Sequence, residues 1–117
     1  MDASTADAAV PSLNRMVLTA RLVERGAMRY TPAGLPALDL MLEHRSMVTE
    51  DGHPRQVSLQ IKALAIGAIS RTAQALVLGA DGDFAGFLAT SRNGRGLLFH
   101  VTEIAVHTPP ATTAIPD

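Results

Sequence analysis

The run Glu43-His44-Arg45 combines an acid, a base and a cation, which are the side chains that general acid–base catalysis uses. The alternation of apolar and polar residues around it predicts a β-strand, in which adjacent side chains point to opposite faces. Glu43 and His44 therefore cannot converge on one substrate atom. A structural role is favoured for this run.

The remaining acidic and histidine residues are poorly spaced for metal binding. Asp81 and Asp83 flank a glycine, but the longer run of oxygen ligands and the closing Glu of a calcium loop are missing, so an ordinary turn is favoured. There is no cysteine, and no triad-like or phosphate-cradling glycine motif. The histidines, which lack zinc-ligand spacing, are His44, His53, His100 and His107. The sequence thus predicts no catalytic site, no metal and no cofactor.

Positive charge is concentrated in the middle of the chain. The formal net charge is -1, yet residues 12–108 carry ten basic and eight acidic side chains, a net charge of +2. Nine of the ten are Arg, which forks onto phosphate and stacks on base planes, and the tenth is Lys62. This distribution permits a nucleic-acid partner without requiring one.

The elements that must position these cations are mostly β-strands. Residues 14–25 are rich in apolar and β-branched side chains, which favours a long, bent first strand. A Pro- and Gly-containing turn follows at residues 26–36. In residues 37–46 three leucines then recur at every second position. A polar loop follows at 49–54, and residues 55–64 again alternate between apolar and polar side chains. These segments predict the second and third strands.

Residues 66–78 have the apolar spacing of a short amphipathic helix, and 84–90 and 97–106 are predicted to be the last two strands. Asn93-Gly94 between them suits a hairpin turn. Five strands with a possible short helix between strands 3 and 4 is the order of an all-β OB-fold barrel, although an SH3-like barrel or a generic small β domain gives the same order. We expect one domain at residues 13–107 between disordered tails at 1–12 and 108–117.

Several segments resemble bacterial primosomal replication protein N, the PriB family. They occur in that family's order and spacing, and they are Asn14-Arg-Met-Val-Leu, Thr31-Pro-Ala-Gly-Leu-Pro, Leu42-Glu-His-Arg-Ser, Arg55-Gln and Asn93-Gly. The resemblance covers residues 14–104. It implies an OB-fold homodimer related to single-stranded DNA-binding protein, which binds single-stranded DNA and assists the restart helicase and other primosome proteins at a stalled fork.

The resemblance also implies a DNA-binding set. It comprises Arg29, Arg55, Gln56, Arg92 and Arg95, and we add Tyr30, which follows Arg29 in the sequence, and Lys62 of the third predicted strand. His53 and Ser58 stand where the family carries aromatic residues, and each lost base stack costs about 1–3 kcal/mol. Tyr30 is as well explained by packing against the turn as by stacking.

The three phenylalanines, which are not in this set, and the two arginines of the last hairpin also have structural explanations. Phe84, Phe87 and Phe99 are better explained by core packing than by base stacking. Arg92 and Arg95 could belong to a solvated turn, although their position in the last hairpin favours phosphate contact.

Two alternatives of function remain. The chain could be an interaction module that docks the restart helicase and binds DNA only weakly, or a true single-stranded DNA-binding protein, although the acidic, aromatic-tipped tail of the latter is missing. The start of the chain lacks a signal peptide, and no stretch is apolar enough for a bilayer span, so we expect a soluble cytoplasmic protein.

Overall fold

The computed structural model of the chain describes residues 11–107. The tails expected at residues 1–12 and 108–117 lie outside this range apart from Pro11 and Ser12, so the domain boundaries stay predictions. The described elements are β1 (Met16–Arg25), β2 (Arg29–Tyr30), β3 (Pro36–Glu50), β4 (His53–Ile66), α1 (Ala68–Ala75), β5 (Asp81–Thr90) and β6 (Leu97–Val106).

The five long strands form a closed barrel. Hydrogen-bonded neighbours follow the order β1-β5-β6-β4-β3, and β3 pairs back onto β1. β1 allows this closure because its first half pairs with β5 and its second half with β3, with an irregularity between Leu22 and Glu24. The predicted five-stranded OB-fold barrel is confirmed, and the two-residue strand β2 is an addition that the sequence pattern did not reveal.

The core lies inside the barrel on the inward faces of the strands. Among the described residues, the large side chains that are at most 1% exposed are Leu22, Leu38, Leu42, Phe84 and Phe99. Burying an apolar side chain of this size contributes about 1.5–3 kcal/mol relative to leaving it in water. The core interpretation of Phe84 and Phe99 is therefore confirmed.

β3 and β4 form one long hairpin that extends beyond the barrel. Their register runs without a break from Ala37↔Ile66 to Glu50↔His53. Only Asp51 and Gly52 form the turn, with φ of 52° and 77°. Positive φ at both central residues matches the twist of a hairpin and suits Asp-Gly, so most of the predicted loop at 49–54 is strand.

Helix α1 closes one side of the barrel. Ala73 is fully buried on its inner face, as the amphipathic spacing predicted, and Ser70 is buried beside it. Arg25 Nη1 of β1 donates a hydrogen bond to the carbonyl of Leu76, 2.5 Å away, which places a cation at the carboxyl end of the helix dipole. The helix spans Ala68–Ala75, a shorter range than the predicted 66–78.

A β-bulge changes the inward face of β6. Thr102 has no partner on β5, which shifts the alternation of side chains along β6 by one residue. Phe99 and Ile104 therefore both pack on the core, although one position is odd and the other even. Gly86 of β5 sits beside this bulge. A Cβ there would lie 1.7 Å from the backbone oxygen of His100, so the close approach of β5 and β6 requires glycine.

The interpretation of Asp81 and Asp83 as turn residues was wrong, because both lie in β5. Asp81 accepts a hydrogen bond from Arg21 Nε at 3.1 Å. Asp83 accepts one from Thr19 Oγ1 at 2.6 Å, and His107 Nε2 lies 3.0 Å from its carboxylate. The hydrogen bond from Thr19 and then that from His107 hold the pKa of Asp83 below its ordinary value. Both carboxylates connect β5 to neighbouring strands.

Within residues 11–107, no helix has the length and apolar character that crossing a membrane requires.

Candidate nucleic-acid interface

A groove lies on the outer face of β3 and β4. It consists of two adjoining concavities of about 290 Å³ and 400 Å³ that share Leu98 of β6. Arg29 lines the first and Asp39 the second, and their ion pair joins the two. The cationic side chains that line this groove are Arg25, Arg29, Lys62 and Arg92.

Arg29 projects from β2 and is held by Asp39 of β3. Its Nε and Nη2 each donate a hydrogen bond to one oxygen of the Asp39 carboxylate, both at 3.1 Å. This pairing raises the pKa of the Arg29 guanidinium above its ordinary value, through the hydrogen bonds first and the charge second. A guanidinium has five N–H donors, so Arg29 retains donors for an anion in the groove. Asp39 orients Arg29 and also adds a negative charge to the groove.

Arg92 reaches the groove from the opposite side, on the connection between β5 and β6. The Gly94 N–H donates to the Ser91 carbonyl at 2.8 Å, and the Arg95 N–H donates to Asn93 Oδ1 at 2.9 Å, which shapes this loop. In the part of the chain that the structure describes, Arg92 and Arg95 have no carboxylate partner. Arg92 lines the groove, and Arg95 is exposed on the same loop.

The β3–β4 hairpin presents different side chains on its two sides. Positions alternate, so Lys62, Ser58 and Gln56 lie on the side of the groove, beyond which the hairpin tip projects. Arg55 and His53 lie on the opposite side, where Arg55 Nε is 3.4 Å from the Glu50 carboxylate. The structure therefore brings Gln56 and Lys62 to one side of the hairpin and separates Arg55 from them.

Tyr30 is an exposed ring, and packing against the turn does not explain it. Its residue exposure is 65%. It follows Arg29 in β2, so the two side chains point to opposite sides, and Tyr30 does not line the groove. The structure therefore separates Tyr30 from the cations of the predicted DNA-binding set.

Arg45 is a further cation on this face and is not among the predicted site residues. It lies on the same side of the hairpin as Lys62, opposite Ser58 in the register, and its side chain is 72% exposed. Its nearest carboxylate is Glu43, 3.5 Å away. The strand period places Arg45 on the face of Asp39 and Met41, which is a signal that was available in the sequence.

His44 has the structural role expected for the 43–45 run. Its Nδ1–H donates to the carbonyl of Thr19 at 2.6 Å, and its Nε2 accepts from Ser46 Oγ at 2.8 Å. These bonds join β3 to β1 where the hairpin leaves the barrel. Among residues 11–107, no group of three or more His, Cys, Asp or Glu side chains could hold a metal ion.

Comparisons with known proteins identify the family of this chain. Residues 14–103 match a family described as another single-strand binding protein family. The replication restart protein PriB of Bordetella pertussis is 50% identical over 80 residues, which cover 68% of this chain and 75% of the relative. The PriB of Vibrio vulnificus strain YJ016 is 38% identical over 95 residues, covering 78% and 95% of the two chains.

Solved structures extend the comparison to the fold. The protein PriB from Ralstonia solanacearum superposes with a TM-score of 0.78 at 36% identity, covering 83% of this chain and all of that one. The single-stranded DNA-binding protein from Thermus aquaticus gives a TM-score of 0.67 at 25% identity over 85% of this chain and 52% of its own. The chain therefore belongs to the single-strand binding protein family and, within it, to the PriB replication restart proteins.

Proposed function

We propose that this chain binds single-stranded DNA as a homodimeric, cytoplasmic accessory protein of the primosome that assists the restart helicase and catalyses no reaction itself. The observation that carries the proposal is the meeting of Arg29 and Arg92 in one groove. These side chains come from the β2 segment and the β5–β6 loop, and the surface between them is apolar, with Leu64 and Ile66. In this arrangement the two arginines at the rims can bind phosphates while the apolar floor contacts the bases.

The groove charges define the expected binding mode. Each phosphate neutralised by an arginine releases counterions, which weakens binding by about 0.7 log units per decade of salt for a single strand. Lys62, Gln56 and Arg45 continue along the same side of the hairpin and extend the path available to the strand. His53 faces away from it, so the hairpin contributes no aromatic ring to this side.

The homodimer is supported by an open strand edge. The first half of β1 pairs with β5 on one side, while its pairing with β3 begins at Arg21. Among residues 11–107, no strand therefore pairs with the other edge of most of residues 16–20, and Val17 there is 59% exposed. An unpaired edge of this kind can add a strand from a second copy. A mass measurement in solution distinguishes a dimer from a monomer.

Fluorescence anisotropy with a labelled oligo(dT), titrated at several salt concentrations, tests the DNA proposal. We expect salt-sensitive binding by the wild-type chain, and Arg29→Ala with Arg92→Ala together to reduce the slope of log K against log salt by about 1.4. Arg71→Ala on the exposed face of α1 is the matched control and should leave the slope unchanged. The proposal fails if the wild type shows no salt-sensitive binding, or if Arg71→Ala has the effect of the double variant.

A helicase-docking module with only weak DNA binding is the second candidate. The pairing of Arg29 with Asp39 favours it, because a carboxylate in the groove lowers the attraction for phosphate. The same double variant separates the two functions. If it abolishes oligonucleotide binding and leaves stimulation of the restart helicase intact, the docking function is the main one. If both are lost together, DNA binding is needed for the assistance.

A further inference from the structure

Phe87 and His100 form an exposed pair of stacked rings beside the groove. They lie opposite each other on β5 and β6, with ring centroids 4.8 Å apart and an angle of 11° between the rings. Phe87 is 38% exposed, whereas Phe84 and Phe99 are at most 1% exposed. The expectation that Phe87 is a core residue was therefore wrong, because its position in β5 places it on the outer face of the barrel.

His100 connects this pair to the groove. It lines the same concavity as Arg29 and Arg92, and its partner on β4 is Leu64, on the floor of that concavity. Phe87 of β5 pairs with His100 on the other side, so the three side chains form a row across β4, β6 and β5. The surface thus continues from the groove floor across Leu64, His100 and Phe87 without a charged side chain between them.

A cation lies at the far end of this row. Met16 of β1 pairs with Gly86, and the Asn14 side chain bonds both backbone groups of Leu88, so the register places Arg15 beside Phe87. The Arg15 side chain is 53% exposed, and its carboxylate contact, with Glu103, is long at 3.6 Å. An exposed aromatic stack is therefore placed between Arg92 on one side and Arg15 on the other.

We propose that the Phe87–His100 pair is a base-stacking site that continues the single-stranded DNA path from the groove towards Arg15. The inference rests on the proposed function and adds a site to it. Parallel stacking by His100 covers one face of the Phe87 ring and holds it in place, so a base arriving on the accessible part meets an oriented aromatic surface. The pair supplies a ring that the β3–β4 hairpin lacks at Ser58 on the groove side.

Base stacking makes a prediction that mere packing does not. Phe87→Leu preserves an apolar side chain but removes the ring, so it should weaken binding of oligo(dT) about 5- to 150-fold, the value of one base stack. Binding of an abasic oligonucleotide of the same length, which offers phosphates only, should be unchanged. Val106→Ala, at an exposed apolar position near the other end of β6, is the matched control and should affect neither ligand.

A tryptophan reporter gives an independent readout, because the chain has no Trp of its own. Phe87→Trp should bind oligo(dT), and its fluorescence should be quenched by the bound bases but not by the abasic strand. Val106→Trp should show no quenching with either ligand. Circular dichroism checks that each variant is folded.

The outcomes separate this inference from the function on which it rests. If the wild type binds oligo(dT) and Phe87→Leu binds it equally well, the stacking site is overturned and the DNA-binding proposal stands. Equal weakening for oligo(dT) and the abasic strand also overturns the stacking site, because it assigns Phe87 a structural role only. If the wild type binds neither ligand, the proposed function itself fails.

Discussion

Gly86→Ala is expected to destabilise the barrel severely, and a graded series of glycine substitutions can test the reason. A Cβ on Gly86 would meet the His100 oxygen at 1.7 Å, and one on Gly82 would meet the Ala105 oxygen at 2.9 Å. At Gly26 the nearest atom would be 3.6 Å away, an ordinary contact. The three sites therefore differ in backbone crowding while the substitution stays the same.

The expected loss of stability depends on which parts of the backbone must move to accommodate the new Cβ. The obstacle at Gly86 is backbone, so β5 and β6 must separate locally, which strains the packing by about 1–3 kcal/mol and weakens about two ladder hydrogen bonds at about 1 kcal/mol each. We expect Gly86→Ala to lower the free energy of unfolding by about 3–5 kcal/mol. In a domain of this size that lowers Tm by more than about 12 °C. Gly82→Ala should cost about 1–2 kcal/mol, and Gly26→Ala should stay within about 1 kcal/mol of wild type.

Thermal and urea unfolding, followed by circular dichroism, measure the series. The expected order of stability is Gly26→Ala, then Gly82→Ala, then Gly86→Ala as the least stable. If Gly86→Ala loses no more stability than Gly26→Ala, the close approach of β5 and β6 at the bulge does not require glycine, and the reasoning is refuted.

Two further predictions concern charge. Asp39→Asn removes the carboxylate that holds Arg29, so oligo(dT) binding at about 0.1 M salt should tighten several-fold and its salt slope should steepen by up to about 0.7 in an anisotropy titration. Asp83 has a folded-state pKa lowered by Thr19 and His107, so its stabilisation is present above the ordinary value of 3.8 and is lost as the pH falls through the lower folded value. The wild type should therefore have a higher Tm than Asp83→Asn at pH 7, and this difference should shrink below pH 3.8.

Each of these has a matched control. Asp51→Asn removes a carboxylate at the hairpin tip, outside the groove lining, and Asn tolerates the positive φ there. If it tightens DNA binding as much as Asp39→Asn, net charge alone is responsible. For Asp83, a Tm difference that stays constant from pH 7 to pH 2 would contradict the linkage, because the carboxylate would then contribute equally in both protonation states.

Much of the barrel could be predicted from the sequence because strand alternation is a local property. Leu38, Leu40 and Leu42 repeat at the period of a strand, and the structure buries all three on the inner face. The spacing of Ile69, Ala73 and Leu76 likewise indicated α1, and all three pack in the core. The same period could have shown that Arg55 and Gln56, as neighbours, face opposite sides of their strand.

Only the tertiary structure decided which distant side chains meet. Arg29 and Arg92 share a groove because the barrel closes with β3 and β4 lying between their two segments, and no local pattern contains that information. The bulge at Thr102 is similar, since pairing with β5 leaves that residue without a partner. Phe87 shows the consequence for the site, because its type suggested the core while its strand position placed it beside His100 on the outer face. Residue type and period are local, whereas convergence and exposure depend on long-range pairing.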